Sequence, residues 1–111
     1  MKPRKWEIWF VNMPFEEGIG SKHRPALVID TQTNYVVVGK MTKHPPRPGY
    51  QYEYQMIDWK GAGLRLPTTL RLSKIATLQE ADFIRKMGEI QPIDQMNVRE
   101  LLKLILSNLP K

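Results

Sequence analysis

The chain reads as an α+β protein, a small, strongly bent antiparallel sheet or barrel with a short helix and a C-terminal helix. Two patterns carry that reading. Up to residue 75, short β-branched and aromatic runs alternate with clusters of Pro, Gly and Asn, as strands alternate with turns. After Pro92, the residues Val98, Leu101, Leu102, Ile105 and Leu109 form one apolar stripe at helical spacing. The 111 residues contain no internal repeat, low-complexity tract or linker, so a single domain over residues 1–111 is expected.

Trp6 to Val11 is the first expected strand, with Trp6, Ile8 and Phe10 on one face and Trp9 and Val11 on the other. Both faces are apolar, so both need a cover, from this chain or from a partner subunit. Phe15 to His23 is a loop holding Glu16, Glu17, Gly18 and Gly20. Ala26 to Asp30 is the second strand, short and β-branched. Pro25 just before it removes a backbone donor and extends Arg24, which places a rigid cation at the strand's lip. Tyr35 to Thr42 returns as the third strand. Lys43 to Gly49 contains three prolines and is a loop, because proline blocks both helix and ladder. Tyr50 to Tyr54 alternates aromatic and polar residues, either as an edge strand's seam or as a stacking surface for bases. Asp58 to Gly63 is a turn region. Thr69 to Ile75 alternates again, with Thr69, Arg71 and Ser73 sharing a polar face that is either solvated or part of a site. Thr77-Leu78-Gln79-Glu80 has the form of a capping box and is expected to open a short helix ending at Gly88. Pro92-Ile93-Asp94 starts the last helix, with Leu104 and Leu106 outside its main stripe.

Composition narrows the chemistry. There is no cysteine, which rules out disulfides, thiolate metal sites and a cysteine nucleophile. His23 and His44 lie in separate loops, an arrangement that argues against a structural zinc site. No run is long and apolar enough for a membrane span or a signal core, so a cytoplasmic protein is expected. Residues 1–75 carry 12 Lys/Arg against 6 Asp/Glu, and residues 76–111 carry 5 of each. The entire net charge of +6 therefore sits on the strand-rich part, which favours a polyanion there, either nucleic acid or an acidic protein tail.

Four stretches, in order, carry a resemblance: Trp6 to Val11; Lys22-His23-Arg24-Pro25-Ala26-Leu27-Val28-Ile29; Val36 to Met41-Thr42-Lys43; and Ile57-Asp58-Trp59-Lys60-Gly61-Ala62-Gly63-Leu64 with Pro67-Thr68-Thr69 and Leu70 to Leu78. Together they resemble the PemK/MazF-type toxins of bacterial type II toxin–antitoxin pairs, the PemK-like branch in particular. The resemblance implies an SH3-like barrel of the CcdB/Kid/MazF type and a symmetric homodimer. It implies a metal-independent, sequence-selective endoribonuclease acting on single-stranded RNA, mRNA above all, with no cofactor. An acidic antitoxin lying across the RNA groove is the implied protein partner.

Metal-free RNA cleavage can use the neighbouring 2′-hydroxyl as nucleophile, leaving a 2′,3′-cyclic phosphate and a 5′-hydroxyl. That route needs a base, a donor for the leaving oxygen and cations for the phosphorane. By resemblance Arg24 is the catalytic arginine, its planar fork suited to phosphate oxygens, and Thr42 is the threonine that hydrogen-bonds the scissile phosphate. Arg71 matches an arginine used by some members, in which the residue two further on is a catalytic acid; here that position is Ser73, a poor base without a partner. Glu16, Glu17 and His23 remain as proton acceptors, and the base stays unassigned. Strand alternation sends His23 and Arg24 to opposite faces, which counts against His23. Lys22, His23, Lys43, Arg71, Ser73 and Glu17 are the expected substrate contacts. Two other function classes fit the same residues, a non-enzymatic toxin of this fold that binds a protein, as the gyrase-poisoning toxins do, and an RNA-binding module without catalysis.

Overall fold

A computed structural model describes residues 2–15 and 18–108. Six strands form one antiparallel sheet: β1 (Glu7–Pro14), β2 (Ser21–Thr31), β3 (Val36–Thr42), β4 (Glu53–Gln55), β5 (Thr69–Leu78) and β6 (Phe83–Glu89). A helix, α1 (Pro92–Ser107), closes the described chain. The spatial order is β4-β5-β3-β2-β1-β6. This is the expected α+β class with a C-terminal helix.

The sheet buries apolar side chains on both faces because period-two alternation deals residues to each in turn. Ile8, Leu27, Met41, Leu70 and Leu72 join Val98 of α1 and Met56, Ala62, Leu64 and Ile90 in one core. Trp9, Val11, Met13, Ala26, Val28, Val36, Val38 and Leu78 form a second core on the opposite face, where the bent sheet closes over itself with Phe83 and Ala76. Both covers of β1 thus come from the chain itself. On α1, Leu101, Leu102 and Ile105 pack on the first core, whereas Leu104 and Leu106 are exposed. Leu109 lies outside the described residues.

Four local expectations are corrected. The helix expected from Thr77 to Gly88 is a single 3₁₀ turn, Glu80–Asp82, followed by β6. The capping interaction does exist, shifted by two residues: the Gln79 N–H donates to the Asp82 carboxylate at 2.9 Å. Helix propagation loses because β1 has an open edge, and Phe83 to Glu89 gains ladder bonds along it, with two bulges. Gly88 also lets the 62–63 backbone pack against β6, since a Cβ there would stand 2.0 Å from the Ala62 carbonyl oxygen.

The second correction concerns β2, which starts at Ser21 rather than Ala26. Arg24 therefore lies inside a ladder, opposite Val11. The third is β4, three residues long instead of five. Tyr52 has φ 62°, so the backbone turns before Glu53 and the three tyrosines do not share a face. Trp6 likewise has φ 76° and sits in a turn ahead of β1 rather than in the strand.

α1 is fastened by a carboxylate with no sequence signature. Asp94 is fully buried and accepts hydrogen bonds from the Tyr54 hydroxyl at 2.5 Å and the Ile57 and Asp58 N–H groups at 2.8 Å. Burial, then the bond to Asp94, pushes the Tyr54 pKa up to about 12. The Met56 N–H donates to the Thr68 carbonyl, closing the base of the 56–68 segment that Asp94 holds. On the far edge, burial raises the Glu7 carboxyl, but bonds from Trp9 Nε1, the Arg4 N–H and Lys86 outweigh it and hold the pKa below its usual value. No described helix is long and apolar enough to cross a membrane.

Candidate functional site

The ladder between β2 and β3 ends at Ala26↔Lys40, next to Pro25, which has no N–H to extend it. Residues 21–25 then follow β1 alone, while Met41 and Thr42 follow β5. The two strands separate, and a groove of about 520 Å³ opens between them. Lys22, His23, Arg24 and Pro25 line one side; Lys40, Met41, Thr42, Lys43 and His44 line the other. The 56–68 segment adds Leu64, Arg65, Leu66 and Thr68, β5 adds Arg71, and β6 adds Arg85 and Met87.

Of the residues singled out in the sequence, Lys22, His23, Arg24, Thr42, Lys43 and Arg71 are brought together here. His23 and Arg24 alternate along β2, yet both line the groove because it opens through the plane of the sheet where the strands part. Ser73 does not line it. The β3–β5 register jumps from Gly39↔Ile75 to Lys40↔Arg71, and Ser73 sits in that irregularity, exposed. Glu16 and Glu17 lie outside the described residues.

Lys40, Arg65, Thr68 and Arg85 were not anticipated. Lys40 could have been found, since it lies two residues before Thr42 and so on the same face of β3. Arg65 and Arg85 come from distant segments and have no local signature.

Seven Lys/Arg side chains line the groove, and no described carboxylate does. Such a surface holds a strongly positive potential and suits a polyanion. Its apolar lining comes from Pro25, Met41, Leu64, Leu66 and Met87. Phe10 organises one rim: His23 meets its ring edge-on at 5.7 Å between centroids, and the Arg85 guanidinium lies 5.2 Å from its centroid. Thr42 Oγ1 accepts the His44 N–H at 3.3 Å, so its hydroxyl proton can be donated elsewhere. Arg71 is 13% exposed and faces Glu53 Oε2 through Nε at 3.4 Å. Glu53 also binds Arg47, through Nη2 at 2.6 Å, Nε at 3.0 Å and the backbone N–H at 2.8 Å. The Arg47 hydrogen bonds, against the opposing effect of burial, hold the Glu53 carboxyl below its ordinary pKa. Among the described residues no group of three or more His, Asp or Glu is placed to hold a metal ion.

Residues 4–106 match the family described as PemK-like, MazF-like toxin of type II toxin-antitoxin system. The chain is similar to a solved endoribonuclease in complex with its cognate antitoxin from a mycobacterial species: 19% identity, 99% of this chain and 97% of that one covered, TM-score 0.68. A second mycobacterial endoribonuclease is 16% identical over 99% and 97% of the two chains, with TM-score 0.72. A MazE-MazF structure from Deinococcus radiodurans is 18% identical over 96% of each chain, with TM-score 0.68. At these identities the likeness is one of fold. No curated protein sequence matches the chain.

Proposed function

The chain belongs to the PemK-like, MazF-like toxins of type II toxin–antitoxin systems, and from that premise we propose that it is a single-domain endoribonuclease toxin that cleaves single-stranded RNA, mRNA above all. The observation that supports this most directly is the groove itself, with seven cations, no described carboxylate, and Arg24 and Thr42 on strands that part to face each other. A phosphodiester backbone laid along it meets cations from several segments, and the apolar lining residues can receive unstacked bases.

Cleavage proceeds by attack of the 2′-hydroxyl on the adjacent phosphorus. A proton acceptor takes the 2′-hydroxyl proton, the P–O5′ bond breaks, and the 5′-oxygen takes a proton from solvent water. The products are a 2′,3′-cyclic phosphate and a 5′-hydroxyl. Negative charge grows on the non-bridging oxygens. The guanidiniums of Arg24 and Arg71 stabilise it, and the Thr42 hydroxyl, whose oxygen is already engaged by the His44 N–H, donates its proton to one of those oxygens. Lys22, Lys43, Arg65 and Arg85 bind flanking phosphates. The proton acceptor is to be sought among His23, inside the groove, and Glu16 and Glu17. Ser73 is exposed at the β5 irregularity and does not line the groove. The toxin acts in the cytoplasm as a homodimer, and a cognate acidic antitoxin neutralises it by covering the basic groove.

Mapping cleavage of a defined mRNA in EDTA, wild type against Arg24→Ala, tests the proposal. Wild type should cut and leave cyclic-phosphate and 5′-hydroxyl ends. Arg24→Ala should lose about 100-fold or more in rate while sedimenting as wild type does. A requirement for divalent metal, or 5′-phosphate ends, would sink the mechanism.

A further inference from the structure

We infer that Glu53 is a positioning residue, a buried carboxylate that orients the Arg71 guanidinium for the anion in the groove; this rests on the RNA-cleaving role proposed above. The Glu53 side chain is 1% exposed and does not line the groove, so it cannot meet the substrate. It lies between two arginines. Arg47, from the proline-rich loop, takes it with three nitrogen contacts, and Arg71 approaches the same Oε2 atom. Backbone pairing fixes that approach, since Glu53 stands directly opposite Arg71 in the β4–β5 ladder.

The contact is an ion pair through Nε, the inner nitrogen of Arg71. That nitrogen is buried and makes no hydrogen bond among the described residues, so the carboxylate acts on it by charge. Its two terminal amino groups remain as the donors that an anion in the groove can engage bidentately. A carboxylate gripping those terminal groups instead would compete with the phosphate. A neutral residue in place of Glu53 would leave two guanidiniums side by side in a poorly hydrated site, where like-charge repulsion turns Arg71 away. Arg47 is in turn held over the Tyr50 ring at 3.5 Å, so the carboxylate rests on a braced partner. Glu53 is also a poor proton acceptor: it is sequestered and stays ionised, which suits holding charge rather than moving it. Local sequence does not reveal the arrangement, because Glu53 looks like one polar position in an alternating aromatic run.

The test is a kinetic cycle with a short single-stranded RNA substrate. Glu53→Gln preserves shape and should lower kcat by about tenfold or more with KM changed by less than about threefold, because the lost interaction is made in the transition state. In an Arg71→Ala background the same change should alter kcat by less than about twofold. Arg47→Ala, which removes only the loop side of the clamp, should cost less than Glu53→Gln. An equal loss from Glu53→Gln in both backgrounds, or a rise in KM alone, would overturn the inference. An NMR arm does not depend on activity. In wild type the Arg71 Nε–H resonance, assigned by its disappearance in Arg71→Lys, should exchange slowly with solvent; fast exchange would overturn the inference. If wild type cuts no RNA, the proposed function fails, while the NMR arm still reports on the Glu53–Arg71 link.

Discussion

Replacing Asp94 tests how the groove wall is held. Both oxygens of Asp94 accept: Oδ1 takes the Tyr54 hydroxyl and the Ile57 N–H, and Oδ2 takes the Asp58 N–H. Asparagine has nearly the same shape but offers one acceptor oxygen, so its amide must point donors at a backbone N–H. A hydrogen bond to a charged group contributes about 1.5–3 kcal/mol, and a buried donor left unsatisfied costs about 1–3 kcal/mol. Losing one charge-assisted bond and opposing two donors gives about 3 kcal/mol for Asp94→Asn, since such losses do not simply add. Tyr54→Phe removes two bonds, the donation to Asp94 Oδ1 and the acceptance of the Asn97 Nδ2–H at 2.9 Å, and should cost about 2 kcal/mol. A chain of this length shifts by about 4 °C per kcal/mol, so the asparagine variant should melt about 12 °C lower. Urea unfolding followed by tryptophan fluorescence, with an unchanged m-value, measures both variants. Because Asp94 ties down the segment that carries Leu64, Arg65, Leu66 and Thr68, KM for RNA should also rise well below the melting temperature. The reasoning fails if Asp94→Asn costs less than Tyr54→Phe, because then the second acceptor has no structural role.

Three further outcomes are expected. Gly88→Ala places a Cβ 2.0 Å from the Ala62 carbonyl oxygen and 2.8 Å from its carbon, so backbone must move; it should destabilise by at least about 3 kcal/mol in urea or prevent soluble expression. Binding of a non-cleavable 2′-deoxy oligonucleotide, followed by fluorescence anisotropy over a salt series, should lose about 0.7 from its log–log slope in Lys43→Ala and in Arg65→Ala. Lys60→Ala, exposed and outside the groove, should leave the slope unchanged. Tyr54 ionises only at about 12 in the folded chain against an ordinary value of 10.0, so the fold favours its neutral form. That stabilisation is complete below pH 10 and is lost as pH rises towards 12; between these limits wild type should lose melting temperature faster than Tyr54→Phe.

Part of the site was legible because it is built from local rules. Arg24 next to Pro25 and Thr42 at the end of a β-branched run are short-range patterns, and the resemblance gave them roles before any geometry. Lys40 was within reach of the same alternation. Glu53 and Asp94 were not, because a buried carboxylate is defined by the donors around it: Asp94 meets Tyr54, which is 40 residues away in sequence. Arg65 and Arg85 join the groove only once the 56–68 segment and β6 are docked.

By itself, the chain determined its α+β class, the strand-rich basic part, the loop at Lys43 to Gly49 and a final helix starting at Pro92, whose side-chain period and punctuation are local properties. Tertiary structure decided the rest. The segment after Asp82 became strand rather than helix because an open edge of β1 offered ladder bonds that local propensity cannot anticipate. The groove around Arg24 exists because β2 and β3 part at Pro25, and it is positive because seven cations from separate segments converge there. Pro25 is visible in the sequence; what converges beside it depends on long-range pairing.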